Sequence, residues 1–421
     1  MSDWIRYDSG LGKVGDLMPH PLEFSQPSHD ENALVILRRA IEEFQKSKRD
    51  IPVQLTTLPW TSAWSEMVRV ALYKDGAEVS EIGSTWVGSF VGMDALRPFT
   101  AKEITRVGHA TAFLPSAWEN GQLIGDDTVW AIPWLSDTRV IFYWRDMFEH
   151  AGVDEDGPFL SFEKMEETLA RLQSSGVATP WAVTTRRTAN TLYNIASWVW
   201  GAGGDFMSAD GKQMRLAEPA ACTGLMRYFG LYRYMPRQRE PMDGIATFDL
   251  FLNRSVAAIV SGPWFLRWLR EHSATSTTLS RIGIALLPGP SFVGGTNLAI
   301  WRHVAIDHEQ IASDLVYYLV TSSALQGYYH AAGLLPARRD LLAEPPFNSD
   351  LHYQKIIEAL EAGRSCSRIT MWGLVEDRLI AALAQIWDQV RADPAQDIAA
   401  LVEQMMRPLT LRLDETLAGR R

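Results

Sequence analysis

The sequence predicts a two-lobed α/β protein. Strand-like and helix-like patterns alternate through the first 85 residues, the signature of a parallel sheet with helices on its faces. The chain has 421 residues, too many for one ordinary core. No Gly/Ser/Pro-rich linker separates its halves, which predicts lobes joined by several crossings rather than a single tether.

Taken in order, residues 1–19 show no period and read as an irregular arm. His20 to Ser25 reads as a first strand. A helix follows, with Ser28 or Asp30 as N-cap and Leu34, Leu37, Ile41 and Phe44 on one face. Ile51 to Leu58 alternates and is β-branched, a second strand that Pro59 and Trp60 end. Thr61 or Ser62 caps a helix with Trp64, Val68 and Leu72 on its stripe. Val79 to Thr85 is a third strand, ending at Trp86. Val129 to Trp134 and Arg139 to Tyr143 are extended, and Pro133 marks the first of these as an edge or crossover strand. Ser161 caps a helix carrying Met165, Leu169 and Leu172. Pro180 to Thr184 is a strand. The next helix, with Leu192, Ile195 and Val199, stops at Gly201, Gly203 and Gly204. Cys222, Leu225, Met226 and Phe229 share a helix face. Val256 to Val260 is a buried-type strand, and Ser261-Gly262-Pro263-Trp264 opens a helix with Pro in its first turn. Ile282 to Leu287 and Asn297 to Trp301 are strands, with Gly294-Gly295 before the second read as a rim element and a plain turn as the alternative. Ile311, Leu315, Tyr318 and Leu319 share a helix. Beyond Leu351 the pattern is helical only.

Composition excludes several classes. Apolar residues make up 47% and charged residues 21%, as in ordinary globular chains. Lys and Arg number 40 against 50 Asp and Glu, a net charge of −10 that argues against nucleic acid as a partner. Two cysteines, Cys222 and Cys366, exclude a disulfide scaffold or a cysteine-rich zinc module and leave one bridge open. No apolar run reaches the ~20 residues of a membrane helix. Met1-Ser2-Asp3-Trp4 does not read as a signal peptide, so the chain is cytoplasmic if complete, or a mature secreted domain.

Catalytic motifs are weak. Gly201-Ala202-Gly203-Gly204-Asp205-Phe206 follows a helix and has Phe206 where a dinucleotide loop needs its third glycine. Neither a P-loop, nor H-E-x-x-H, nor C-x-x-C, nor G-x-S-x-G occurs, and no metal or cofactor is expected. Ser161 and Lys164 match S-x-x-K, but Ser161 already serves as a helix cap. His29 reads as a surface histidine at a strand end. Asp126 or Asp127 with Asp137 would be the acid pair of a glycoside-processing enzyme. A solvated turn plus one hydrogen-bonded Asp explains them better.

The positive signal is aromatic. The chain holds 16 Trp, and Trp60, Trp86, Trp134, Trp200 and Trp264 all stand at strand or helix ends. In open parallel sheets ligands bind beyond the carboxyl ends of strands. An indole matches the C–H face of a pyranose, and Asp, Asn, Gln, Arg or free backbone N–H groups match its hydroxyl rim. Gly294-Gly295-Thr296-Asn297 offers such a rim. A Trp-rich core is the competing explanation.

Taken together these segments resemble the family 1 extracellular solute-binding proteins of ABC importers, the maltose-binding-protein group. The resemblance is carried by Val53 to Ala71, by Glu81-Ile82-Gly83-Ser84-Thr85-Trp86, and by Ala131 to Arg139 with Val140 to Tyr143. Val199 to Asp205, Ser261 to Trp264, Gly294-Gly295, Gly333 to Arg338 and the Trp372 helix complete it, over roughly residues 20–418. It implies the periplasmic-binding-protein type II fold, with a ligand cleft between lobes. Lobe I would hold 1–133 and 289–335, lobe II 138–284 and 339–421, with crossings near 134–138, 284–290 and 333–339. The lobes would close as a hinge on a mono- or oligosaccharide. Trp86, Trp264 and Trp372 would stack on sugar faces. Asp137, Gln26, Ser28 and Thr85 would bond hydroxyls, and Gly294 and Gly295 would present backbone donors. The resemblance implies a non-enzymatic, extracytoplasmic monomer that works with ABC permease subunits.

Two alternatives remain at this level. The same fold would serve a non-sugar solute such as a glycerol phosphoester, or a sensor subunit, with Arg139 and Arg338 as the cations near the crossings. A glycoside-processing enzyme would need the Asp pair to meet.

Overall fold

Leu22–Pro27 (β1), Val53–Leu58 (β2) and Val79–Gly83 (β3) alternate with helices Glu31–Lys46 and Trp60–Tyr73 in a computed structural model that describes residues 20–48, 51–155, 157–273, 278–366 and 368–419. β1 pairs in parallel with both β2 and β3, the arrangement expected of the β-α-β-α-β run. The arm expected at 1–19 lies outside the described residues. Asp30, rather than Ser28, caps the first helix, accepting from the amides of Asn32 at 2.8 Å and Ala33 at 3.3 Å. The second helix is rotated from its expected stripe. Ala63, Met67, Val70 and Ala71 are buried, while Leu72 is exposed.

Ile132–Thr138 (β4) and Val140–Trp144 (β5) are separated by Arg139 alone and belong to different sheets. Trp181–Ala182 (β6), Ala258–Ser261 (β7) and Ile282–Ala285 (β8) join β5 in a four-stranded sheet of order β6-β7-β5-β8. Val293–Ile300 (β9) and Leu335–Pro336 (β10) return to the first, giving six strands in the order β10-β4-β9-β3-β1-β2.

β4 is the crossover strand, leading through Arg139 into β5 of the other sheet, but it is not an edge, lying antiparallel between β9 and β10. Its proline is tolerated because the β9 register shifts between Pro133 and Leu135, a bulge that removes the need for one ladder N–H. Gly294-Gly295 is not a turn but lies within β9, opposite Asp137 and Ser136. Gly295 has φ +118°, and a Cβ there would run into the Leu135 carbonyl, so only glycine fits this bend.

The chain passes between the sheets at Arg139, again at 286–292 after β8, and once more after β10. The amide of Val293 donates to the Arg364 carbonyl at 2.7 Å, and that of Arg364 to Ser291 at 2.8 Å, holding the last passage beside the second. Helix Leu351–Ala362 touches both β4 and β8. Helices Trp372–Ala392 and Ile398–Leu417 pack on helices Ala189–Gly201 and Pro219–Gly230. The fully buried Trp387 lies edge-on to Phe229, ring centres 4.9 Å apart. Cys222 and Cys366 are free thiols. Among the described residues no helix is long and apolar enough to cross a membrane.

Candidate functional site

Because β1, β2 and β3 run parallel, their carboxyl ends deliver Ser28-His29, Trp60 and Ser84-Thr85-Trp86 to one edge of the sheet. Facing them are residues tied to the other sheet: Ala189, Asn190 and Tyr193 from the 189–201 helix, and Trp264 and Arg267 from the helix after β7. Asp137, Phe292, Gly295 and Thr296 form the floor near the crossings, with Ala332, Leu334 and Glu376 alongside. Together they enclose a cavity of about 520 Å³, a size typical of small-molecule sites.

The aromatic walls are ordered by packing. Trp60 is 43% exposed and meets Trp86 at 6.0 Å between ring centres, edge to face. Trp86 rests in turn on Trp64 at 5.5 Å. Across the cavity, Tyr193 stacks on Phe292 at 4.0 Å with the planes 2° apart. Trp264 opens its helix directly after Gly262-Pro263, where a Cβ on residue 262 would collide with the indole. The glycine lets the ring fold back over its own backbone.

Arg139 organises the crossing. It is 1% exposed, and its guanidinium lies 4.7 Å from the Trp264 ring centre, 5.4 Å from Tyr193 and 5.6 Å from Phe292. It donates to the Thr138 carbonyl and to Asn190 Oδ1, both at 3.0 Å, and stands 3.4 Å from Asp137 Oδ2. Burial raises the Asp137 carboxyl above the usual carboxylate range, against the pull of Arg139. Its Oδ1 is buried and makes no hydrogen bond.

A second network lies behind the first sheet's edge. Glu81 is fully buried, and its Oε1 accepts from Thr296 Oγ1 and pairs with His29 Nε2, both at 2.7 Å. Glu81 Oε2 has no partner. A third network joins the sides of the cleft. The Tyr193 hydroxyl donates to Glu376 Oε1 at 2.8 Å and lies 3.4 Å from Thr85 Oγ1. Burial pushes the Glu376 carboxyl up to about 7, although hydrogen bonds from Tyr193, Trp372 and Thr85 oppose it. Burial also drives the Tyr193 phenol well above its ordinary range.

Of the residues singled out in the sequence, Ser28, Trp60, Thr85, Trp86, Asp137, Trp264, Gly295 and Thr296 line the cavity. Five others stand apart from its walls. Gln26 is buried and accepts from the Tyr328 hydroxyl at 3.1 Å. Trp134 stacks on Tyr328 at 5.0 Å and donates to the Leu319 carbonyl at 3.0 Å, an internal role in the first core. Trp200 is 5% exposed and donates to Asp205 at 3.0 Å. Gly294 lies behind Asp137. Trp372 is sealed at 1% exposure and borders a small separate void with Ser84, Thr85 and Asn120. A sequence shows that an indole ends an element, not which side of the element it packs on.

His29 is not a surface residue. Its side chain is 5% exposed and lines the cavity. Tyr193, Asn190, Arg267, Phe292 and Glu376 escaped the sequence reading. Glu376 had a signal: an acid inside the buried stripe Trp372, Val375, Leu379, Leu383. The acid pair of a glycosidase does not assemble. Asp126 accepts from the Thr128 amide at 2.9 Å and from Trp130 Nε1 at 3.3 Å, away from the cavity wall.

Known proteins share this architecture. The sugar-binding protein MalE of Xanthomonas citri superposes with a TM-score of 0.80 at 21% identity, over 95% of this chain and 98% of that one. The diacetylchitobiose binding protein DasA of Streptomyces coelicolor is 20% identical over 353 residues, 79% of this chain and 76% of DasA. A binding protein of Brucella abortus is 20% identical over 263 residues, and this chain spans 60% of its length. Residues 39–355 match the family described as bacterial extracellular solute-binding protein. With that match spanning most of its length, and with its two sheets and intervening cleft, the chain belongs to the bacterial extracellular solute-binding proteins.

Proposed function

We propose that the protein captures a mono- or oligosaccharide in its cleft and delivers it to the permease subunits of an ABC importer, outside the cytoplasm and as a monomer. One observation carries this reading: Trp86 and Trp264, tied to different sheets, line one cavity together with Asp137, Thr85, Ser28 and Thr296. Indoles on two sides match the two C–H faces of a pyranose, and the short polar side chains match its rim.

Closure follows from the same arrangement. A ligand that touches both sides binds the closed state better than the open one, and that difference moves the hinge. We place the hinge at Arg139, at 286–292 and in the passage that follows helix 351–362. The last differs from the crossing near 333–339 because helix 351–362 lies against strands of both sheets. A phosphoester ligand is disfavoured by the local pairing of cations. Arg267 is held by Asp30 at 2.9 Å and Glu271 at 3.2 Å, Arg139 is sealed beside Asp137, and Arg338 turns to Asp340 at 2.7 Å.

The test is a thermal-shift screen of mono- and oligosaccharides against glycerol phosphoesters. A cognate sugar at 100 times its Kd stabilises the native state by about 2.7 kcal/mol, which in a chain of this size raises Tm by about 2–5 °C. A shift with the phosphoesters alone, or with nothing in a broad panel, overturns the proposal.

A further inference from the structure

We propose that the solute this cleft is built for is a cationic amino sugar, a pyranose carrying a protonated amino group. The proposal rests on the sugar-binding reading and narrows it.

The first observation is charge. Asp137 and Glu376 are in the cavity wall, and Glu81 lies behind it through two wall residues, His29 and Thr296. Asp30 and Glu271 hold Arg267. Against these carboxylates stand the guanidiniums of Arg139 and Arg267, and Arg139 is too buried to meet a ligand. In the cavity wall itself the acids Asp137 and Glu376 stand against one guanidinium, that of Arg267, within a chain whose overall charge is −10.

The second observation is unmet hydrogen bonding. Asp137, in the cavity wall, has one buried carboxylate oxygen, Oδ1, without a donor. Leaving such an oxygen unpaired is costly, and the cost is recovered when a donor arrives. An ammonium supplies three donors and a compensating charge, whereas a hydroxyl supplies one donor and none. The third observation is the wall itself. The faces of Trp60 and Trp86 attract cations as well as C–H groups, whereas the Trp264 ring already carries Arg139.

Glu376 gives the proposal its own readout. With its pKa near 7, the empty cavity holds a proton there part of the time at neutral pH. The titratable groups facing it are the Tyr193 phenol and the Cys366 thiol, both raised by burial and neutral at pH 7. Asp205, Arg139 and Arg364 act on Cys366 from the surrounding elements. Asp377, next along the helix, pairs with Arg187 at the surface. An arriving ammonium keeps its own proton and favours the Glu376 carboxylate, whose proton passes to the buffer.

The experiment is calorimetry of the full chain at pH 6.5, in two buffers of different ionisation enthalpy. Matched pairs are compared: glucose with glucosamine, and cellobiose with fully deacetylated chitobiose. The amino member of a pair is expected to bind at least about tenfold tighter, the equivalent of 1.4 kcal/mol, with net proton release that the neutral member lacks. In Glu376→Gln the preference shrinks below about threefold and the proton release disappears. Neutral members binding as tightly as amino members, or tighter, overturn this proposal and leave the sugar reading standing. Absence of binding by every member overturns this proposal, and the broad panel then decides the sugar reading.

Discussion

At the scale of single residues, the cleft is a set of side chains whose neighbours leave them few alternatives. Trp264 is held over Arg139, and Trp86 between Trp60 and Trp64. Such pre-set rings lose little entropy on binding. Trp86→Ala and Trp264→Ala are each expected to weaken sugar binding by about 2 kcal/mol, roughly 30-fold, measured by calorimetry with the best ligand of the screen. A loss of less than threefold in both denies the indoles a stacking role. Glu376 makes a separate prediction about stability. Its carboxyl titrates near 7 in the folded chain against an ordinary 4.5. Between those values the native state holds the extra proton, so this residue's contribution to stability falls as pH rises and levels off above about 7. The loss is about 3 kcal/mol at most. Glu376→Gln is therefore expected to be more stable than the parent at pH 8, and the gap to narrow towards pH 5. Urea unfolding at both pH values reads the difference, and a gap independent of pH contradicts the assignment.

At the scale of elements, junctions matter more than interiors. The strand-to-helix turn at Gly262 sets where Trp264 points. Gly262→Ala drives a methyl into the indole, and is expected to cost about 1–3 kcal/mol of stability together with most of the sugar affinity. Unchanged affinity in a folded variant would mean that the ring's position does not matter. Asp30 combines two duties, capping the 31–46 helix and pairing with Arg267 at 2.9 Å. Asp30→Ala is expected to lose about 1 kcal/mol, and Asp30→Asn, which still caps, less than half of that in chemical denaturation.

Legibility follows the same division. The strands and helices of the first 85 residues were readable because period 2 and period 3.6 alternate there without interruption. β6 and β10, two residues each, carry no period of their own. The Gly294-Gly295 pair reads as lying ahead of the strand because nothing local shows the bulged partner strand that demands glycine inside β9. The cavity was half legible: tryptophans at element ends locate the rim, but packing alone separates Trp86 and Trp264 from the internal Trp134 and Trp372. His29 and Glu376 look ordinary until the fold places them against Glu81 and Tyr193.

At the scale of the whole molecule, the chain passes directly from sheet to sheet at Arg139 and at 286–292 among the described residues, and Arg139 is the shorter passage. The passages are few and narrow, which suits rotation of one side against the other rather than deformation of either core. Small-angle scattering is expected to show a smaller radius of gyration with the cognate sugar than without it. The direct test of the central claim, that indoles on both sides of the cleft grip one carbohydrate, is mass spectrometry of the solute released when the purified protein is denatured. A carbohydrate, up to one per chain and absent from the Trp86→Ala/Trp264→Ala double variant, is the predicted result. A non-carbohydrate solute, or the same carbohydrate retained equally by the double variant, contradicts it.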